Sequence, residues 1–323
     1  MITVLCGGVG AARFLRALRH ATHGGVPVDP ETVVGVVNTG DDTVLHGLSI
    51  SPDLDTITYT LAGAIDPVRG WGLVDETWVA MGALERYAAV RPPGSTAAPT
   101  WFNLGDRDLA THFYRTARLA EGASLTEVTA EIGRAWQLPE RLIPMSDDRV
   151  STLVELDDGR TVSFQEYFVQ LRHGVPVRSV TFDGAASARL QPSAADAITR
   201  AEVVVVAPSN PLVSIGPLRA LAGFDDLLAA RRDSVVAVSP IVGGVALKGP
   251  ADRMLVELGH EPTVVGVARL YRDLAGTLVI DPADAHLADE VAATGMRCMV
   301  QPSVMSDPVV AGALATTVLA AAG

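Results

Sequence analysis

Short apolar runs bounded by turn residues recur along the chain at Ile2–Leu5, Val33–Val37, Val203–Ala207, Val235–Val238, Val264–Val267, Leu278–Ile280 and Met296–Val300. None alternates strictly with polar residues, which is the pattern of strands covered on both faces. Helical periodicity falls between many of them, over Ala11–Ala21, Ala222–Ala230, Arg253–Leu258, His286–Thr294 and Pro308–Ala322. Strand and helix in alternation predict an α/β fold, a Rossmann-like and largely parallel sheet with helices on both faces.

The middle of the chain breaks that rhythm. From about Asp66 to about Arg134 the pattern is helical and rich in aromatics, with Trp71, Trp78, Tyr87, Trp101, Phe102, Phe113 and Tyr114. Ser151–Leu156, the turn Asp157–Gly159 and Thr161–Phe164 predict a β-hairpin, with another strand near Val177–Val180. The expected organisation is a Rossmann-like core from residues 1–65 and 190–323, with an inserted helical and antiparallel β region over 66–189.

Composition narrows the function classes. Of 323 residues, 48% are hydrophobic and 19% charged, a globular balance. A net charge of −12 argues against a nucleic-acid partner, because phosphate backbones are bound mainly by Lys and Arg. A small anionic substrate stays compatible, since a few placed cations, backbone N–H groups and a metal make a local anion site. No apolar stretch approaches the roughly 20 residues that span a bilayer, so no membrane partner is expected. Cys6 and Cys298 each sit in an apolar run. They read as buried free thiols of a cytoplasmic protein, as does Met1 leading straight into a strand.

Candidate chemistry clusters after the strands. Gly7, Gly8 and Gly10 follow the first strand and open a helix, where close backbone approach and free N–H groups suit a phosphate. This is not a dinucleotide fingerprint: Arg13 occupies the third glycine position, and the second strand ends in Asn38 rather than an acid. Asn38-Thr39-Gly40-Asp41-Asp42 follows that second strand, and Ser51-Pro52-Asp53-Leu54-Asp55-Thr56 begins the next helix. Asp53 or Asp55 alone would serve as a helix cap. Together the two clusters supply hard oxygen ligands of the kind Mg²⁺ accepts beside phosphates. Arg107 and Arg149, in polar runs further on, offer guanidinium forks to an anion, while His112 reads as a packed or surface histidine. Ser209 and Asn210 follow the Val203–Ala207 run and Lys248 follows the Val235–Val238 run, where a doubly wound sheet collects its ligands. Spacing alone therefore reaches a nucleotide- or phosphate-handling α/β enzyme that uses a metal, and names no substrate.

In this order the clusters resemble the 2-phospho-L-lactate and phosphoenolpyruvate transferase family of coenzyme F420 biosynthesis. The resemblance rests on GGVGAARFLRAL, NTGDD, SPDLDTITYTLAG, IDPVRGWG, LGDRDLATHFYR, MSDDRVSTLVE, FQEYFV, APSNPLVSIGP and SPIVGGVALKGP, spanning Gly7 to about Pro250. It implies a deazaflavin acceptor, 7,8-didemethyl-8-hydroxy-5-deazariboflavin (Fo), and a guanosine diphosphate ester of lactate or enolpyruvate as donor. The ribityl hydroxyl of Fo attacks the phosphorus bearing the acid, GMP leaves, and F420-0 or its dehydro form results. On this reading Asp41 and Asp55 hold Mg²⁺, and Asp53 orients or deprotonates the Fo hydroxyl. Gly7, Gly8, Gly10, Asn38, Ser209, Asn210 and Lys248 bind the guanosine diphosphate portion, while Arg107 and the aromatic-rich insertion hold the deazaflavin. A homodimer is implied as well. The alternatives are a nucleotide-binding regulator and an NAD(P)-dependent oxidoreductase.

Overall fold

The computed structural model describes residues 1–322. Its centre is a sheet of β1 (Ile2–Cys6), β2 (Val33–Val37), β3 (Arg141–Pro144), β4 (Val203–Val206), β5 (Val235–Val238), β6 (Thr277–Ile280) and β7 (Arg297–Val300). The spatial order is β7-β6-β5-β4-β1-β2-β3 and every pairing is parallel. The order reverses between β1 and β4, which opens a crevice at their carboxyl ends.

The unbroken apolar runs follow from a sheet buried on both sides. Val34 and Val36 enter one core and Val33 and Val37 the other; Val204 and Val206 part from Val203 and Val205 in the same way. Helices α1 (Gly8–Leu18), α2 (Pro52–Leu61) and, near the C-terminus, α5 (Pro308–Ala320) contribute to one core. The other is closed by Pro192–Arg200, Phe224–Ala229 and α4 (Val264–Tyr271).

Two expectations are corrected. Val264–Val267 is the start of α4, not a strand. Thr263 caps it, its side chain accepting the Gly266 N–H at 3.3 Å. Burying Val264, Val265, Val267 and Tyr271 stabilises by roughly 1.5–3 kcal/mol each, which outweighs the few tenths that disfavour valine in a helix. The second concerns the span Asp66–Arg134, which is only partly helical. It holds Val79–Ala88, α3 (Leu109–Ala120) and Leu125–Ala135, separated by irregular stretches that carry most of its aromatics.

Segment 66–189 also reaches the central sheet. Its β3 pairs with β2 from Val34↔Arg141 to Val37↔Pro144. The hairpin and following strand form a three-stranded antiparallel sheet with Ser151–Leu156 in the middle, flanked by Thr161–Ser163 and Val177–Asp183.

Candidate active site

A cleft of about 610 Å³ occupies the crevice. Its floor begins at the glycine loop. A Cβ on Gly7 would stand 2.4 Å from the Ser214 Cβ, and one on Gly10 would stand 2.1 Å from the Pro208 carbonyl oxygen. Gly8 adopts φ 67°, a conformation costly to other residues. These glycines let the loop after β4 press against the start of α1, whose first residues line the cleft. Ser209 ties the two loops, donating to the Gly7 carbonyl at 2.8 Å and accepting the Gly7 N–H at 3.3 Å. The Asn210 side-chain oxygen accepts the Leu212 N–H at 2.9 Å. Gly7, Gly8, Gly10, Ser209, Asn210 and Lys248 all line the cleft.

The acids come from the turn after β2 and from α2. That helix starts at Pro52, so Asp53 and Asp55 lie in its first turn and neither is the helix cap that either alone was expected to be. Ser51 holds the N-cap position but donates its hydroxyl to Asp42 at 2.6 Å. The Asn38 amide donates to Asp53 at 3.0 Å and its oxygen accepts the Gly40 N–H at 2.8 Å, so Asn38 is buried behind the floor rather than in the cleft. Asp41 is buried with one oxygen lacking a hydrogen-bond partner, and Asp42 has the same unmet oxygen. Burial lifts the Asp41 carboxyl well above the usual range, and the charges of Asp53 and Asp42 add to it. Burial likewise raises Asp42 to about 8 and Asp53 to about 6, against the opposing hydrogen bonds from Ser51 and Asn38 respectively.

Asp55 has a different setting. Its two oxygens meet the fork of Arg115, Nη1 at 3.1 Å and Nη2 in closer contact. His112 Nδ1 stands 3.7 Å from Asp55, and its Nε2 stands 3.4 Å from Asp108. Tyr59 donates its hydroxyl to Asp108. Burial pushes the Asp108 carboxyl up, but the bonds from His112 and Tyr59 and the Arg115 charge outweigh it and leave the group below its usual range. Arg115, Tyr59 and Asp108 were given no role in the sequence reading, and His112 is packed, with 1% of its surface exposed. The available signal was the spacing of Asp108, His112 and Arg115 at one helical face.

Above the floor the cleft wall is aromatic, with Trp71, Trp101, Phe102, Phe164 and Phe168. Arg69 lies over the rings of Trp71 and Trp78, 5.5 and 5.3 Å from their centres. Phe164 stacks on Phe168 at 5.6 Å, and the π turn Glu166–Gln170 brings Phe168 and Val169 to the wall. Arg107 stands elsewhere: it is exposed, donates to the Val74 carbonyl at 2.7 Å and does not line the cleft.

The donor set suits a hard divalent cation. Among the described residues, Asp55, Asp108 and His112 are the group whose ligand atoms all lie within 4.8 Å of one another. Asp41 and Asp53 line the same cleft, and Asp41 has one carboxylate oxygen without a hydrogen-bond partner. Carboxylate oxygens without competing sulfur or multiple imidazoles are the chemistry Mg²⁺ selects.

A doubly wound sheet with a glycine loop, buried carboxylates and an aromatic wall at its carboxyl edge defines an α/β protein with a ligand-sized cleft at the switch point of its sheet. A family model described as 2-phospho-L-lactate transferase CofD matches residues 2–302. The chain belongs to that family, and so to the transferases of coenzyme F420 biosynthesis. It is 42% identical over 325 residues to a phosphoenolpyruvate transferase of Kitasatospora aureofaciens, covering 99% of this chain and 97% of that one. A phosphoenolpyruvate transferase of Streptomyces coelicolor is 44% identical over 310 residues, covering 95% and 93% of the two chains. Among solved structures, a member of the UPF0052 family from Bacillus halodurans shares the fold at a TM-score of 0.62 with 13% identity, over 98% of each chain.

Proposed function

We propose that this protein transfers a phosphoenolpyruvyl or 2-phospho-L-lactyl group from a guanosine diphosphate-linked donor to the ribityl hydroxyl of Fo, releasing GMP. The observation that carries the reading is one cleft joining a carboxylate floor and a glycine loop to an aromatic wall, on a chain of this family. Phosphoryl transfer needs positioning and charge neutralisation more than covalent catalysis, and those are what such a cleft offers. The aromatic wall suits the deazaflavin ring. Names of relatives favour enolpyruvate as the acid carried by the donor.

Asp41 and Asp55 are the proposed Mg²⁺ ligands, and the ion would supply neutralising charge to the donor's diphosphate. Asp53, raised to about 6, is the carboxylate placed to take the proton of the Fo hydroxyl, since an effective base has a pKa near the working pH. The α1 N–H groups and Lys248 are assigned to the diphosphate. Arg107, tied to the Val74 carbonyl, leaves the ring to Trp71, Trp101, Phe102 and Phe168. A homodimer and a cytoplasmic location belong to the same reading; among the described residues no helix is long and apolar enough to cross a membrane.

Incubating the protein with Fo, Mg²⁺ and separately prepared enolpyruvyl- and lactyl-diphosphoguanosine tests the proposal by mass spectrometry. A mass gain of one phospho-acid unit on Fo is expected, and the donor that reacts identifies the acid. No product from either donor would defeat the reading. Asp41→Ala and Asp55→Ala are expected to abolish turnover in folded protein. Because Arg115 already balances Asp55, the Asp41 change should weaken Mg²⁺ binding more, as read by calorimetry.

A further inference from the structure

Arg13 and Lys248 both line the cleft, Arg13 from α1 one turn beyond Gly10 and Lys248 from the loop after β5. The chain has 37 acidic against 25 basic side chains, and its arginines are widely paired, as at Arg19–Glu140, Arg69–Asp66, Arg115–Asp55 and Arg118–Glu131. Among the described residues Arg13 and Lys248 have no ion-pair or hydrogen-bond partner. They also feel one another: partial burial and then the Arg13 charge push the Lys248 ammonium below its usual range. The Lys248 ammonium lies against Gly70, where an added Cβ would come within 2.5 Å of Nζ. Gly70 itself has φ 74°.

Two like charges lining one cleft repel, and an anion bound by both turns that cost into attraction. A guanidinium fork beside a compact ammonium is a common pairing for phosphate or carboxylate oxygens. We propose that Arg13 and Lys248 together form an anion subsite of the cleft that grips a phosphate or carboxylate group of the donor. Naming the ligand as the donor rests on the function proposed above; the subsite itself does not. Arg13 is the new member, and it gives the donor an anchor besides any cation held by Asp41.

The test is calorimetric binding in EDTA, so that no metal contributes, of inorganic pyrophosphate, GMP, GDP, phosphoenolpyruvate and guanosine. Wild type is compared with Arg13→Met and Lys248→Met, and melting temperatures verify folding. Each variant is expected to weaken pyrophosphate and GDP about tenfold or more while leaving guanosine unchanged, the loss of a charge-assisted bond. If GMP weakens in parallel, the pair holds the nucleotide's inner phosphate. If phosphoenolpyruvate weakens and GMP does not, it holds the acid's end. Wild-type binding of pyrophosphate that both variants lose would uphold the subsite even if no guanine ligand bound, and only the donor assignment would then fall. Variants that bind every anion as wild type does, or that lose guanosine equally, would overturn the subsite.

Discussion

Arg115 has 1% of its surface exposed, and its fork on Asp55 decides how the floor of the cleft behaves. Removing one member of a buried pair strands the other charge, so Arg115→Met should destabilise the fold by about 3–5 kcal/mol. Adding Asp55→Asn should restore part of that loss. Urea titrations of the three variants check both points, and a single-variant cost under about 1 kcal/mol would mean water reaches Asp55. The contrast between Asp55 and its neighbours also explains what the sequence revealed. Asp41, Asp53 and Asp55 were legible because they stand at a strand end and a helix start, where local pattern marks a ligand position. Arg115 was not, because its partner lies 60 residues away and only the folded chain brings α3 against α2. Arg107, singled out as a fork beside acidic residues in sequence, faces the Val74 carbonyl and does not line the cleft.

At the level of elements, the start of α1 and the loop after β4 behave as one unit. Gly10→Ala would drive a Cβ to within 2.1 Å of the Pro208 carbonyl, and overpacking of this kind costs about 1–3 kcal/mol. The expected readouts are a lower melting temperature and weaker GDP binding together, since the strain falls where the first turn of α1 lines the cleft. A variant with normal stability and normal GDP affinity would show that the two loops are free to part. The seven-stranded α/β core was largely legible because strands buried on both faces leave unbroken Val and Ile runs. Val264–Val267 was not, because four apolar residues suit a buried strand and a buried helix equally; Thr263 as a cap was the deciding signal. β3 went unseen because Arg141–Pro144 is short, ends in proline and lies at the sheet edge, where such a strand leaves little pattern.

Across the whole molecule, the buried acids set how stability answers to pH. Asp53 and Asp42 have folded pKa values of about 6 and about 8, both above the unfolded value, and Asp41 shifts the same way. The folded state therefore binds more protons than the unfolded one from about pH 4 to about 8, and stability falls as pH rises through that window. In EDTA the melting temperature should be higher at pH 5.5 than at pH 8, and Mg²⁺ should raise it more at pH 8. A melting temperature that climbs with pH in EDTA would contradict the burial of these groups. The strand order carries a consequence for biogenesis. β1 is made first, yet one of its edges waits for Val203–Val206, and the cleft is not complete until Met305 has been made. A ribosome must therefore synthesise the roughly 200 residues between the two strands while that edge of β1 stands open. During that interval the cleft is incomplete, so a substrate can stabilise the fold only once the lining up to Met305 has been made.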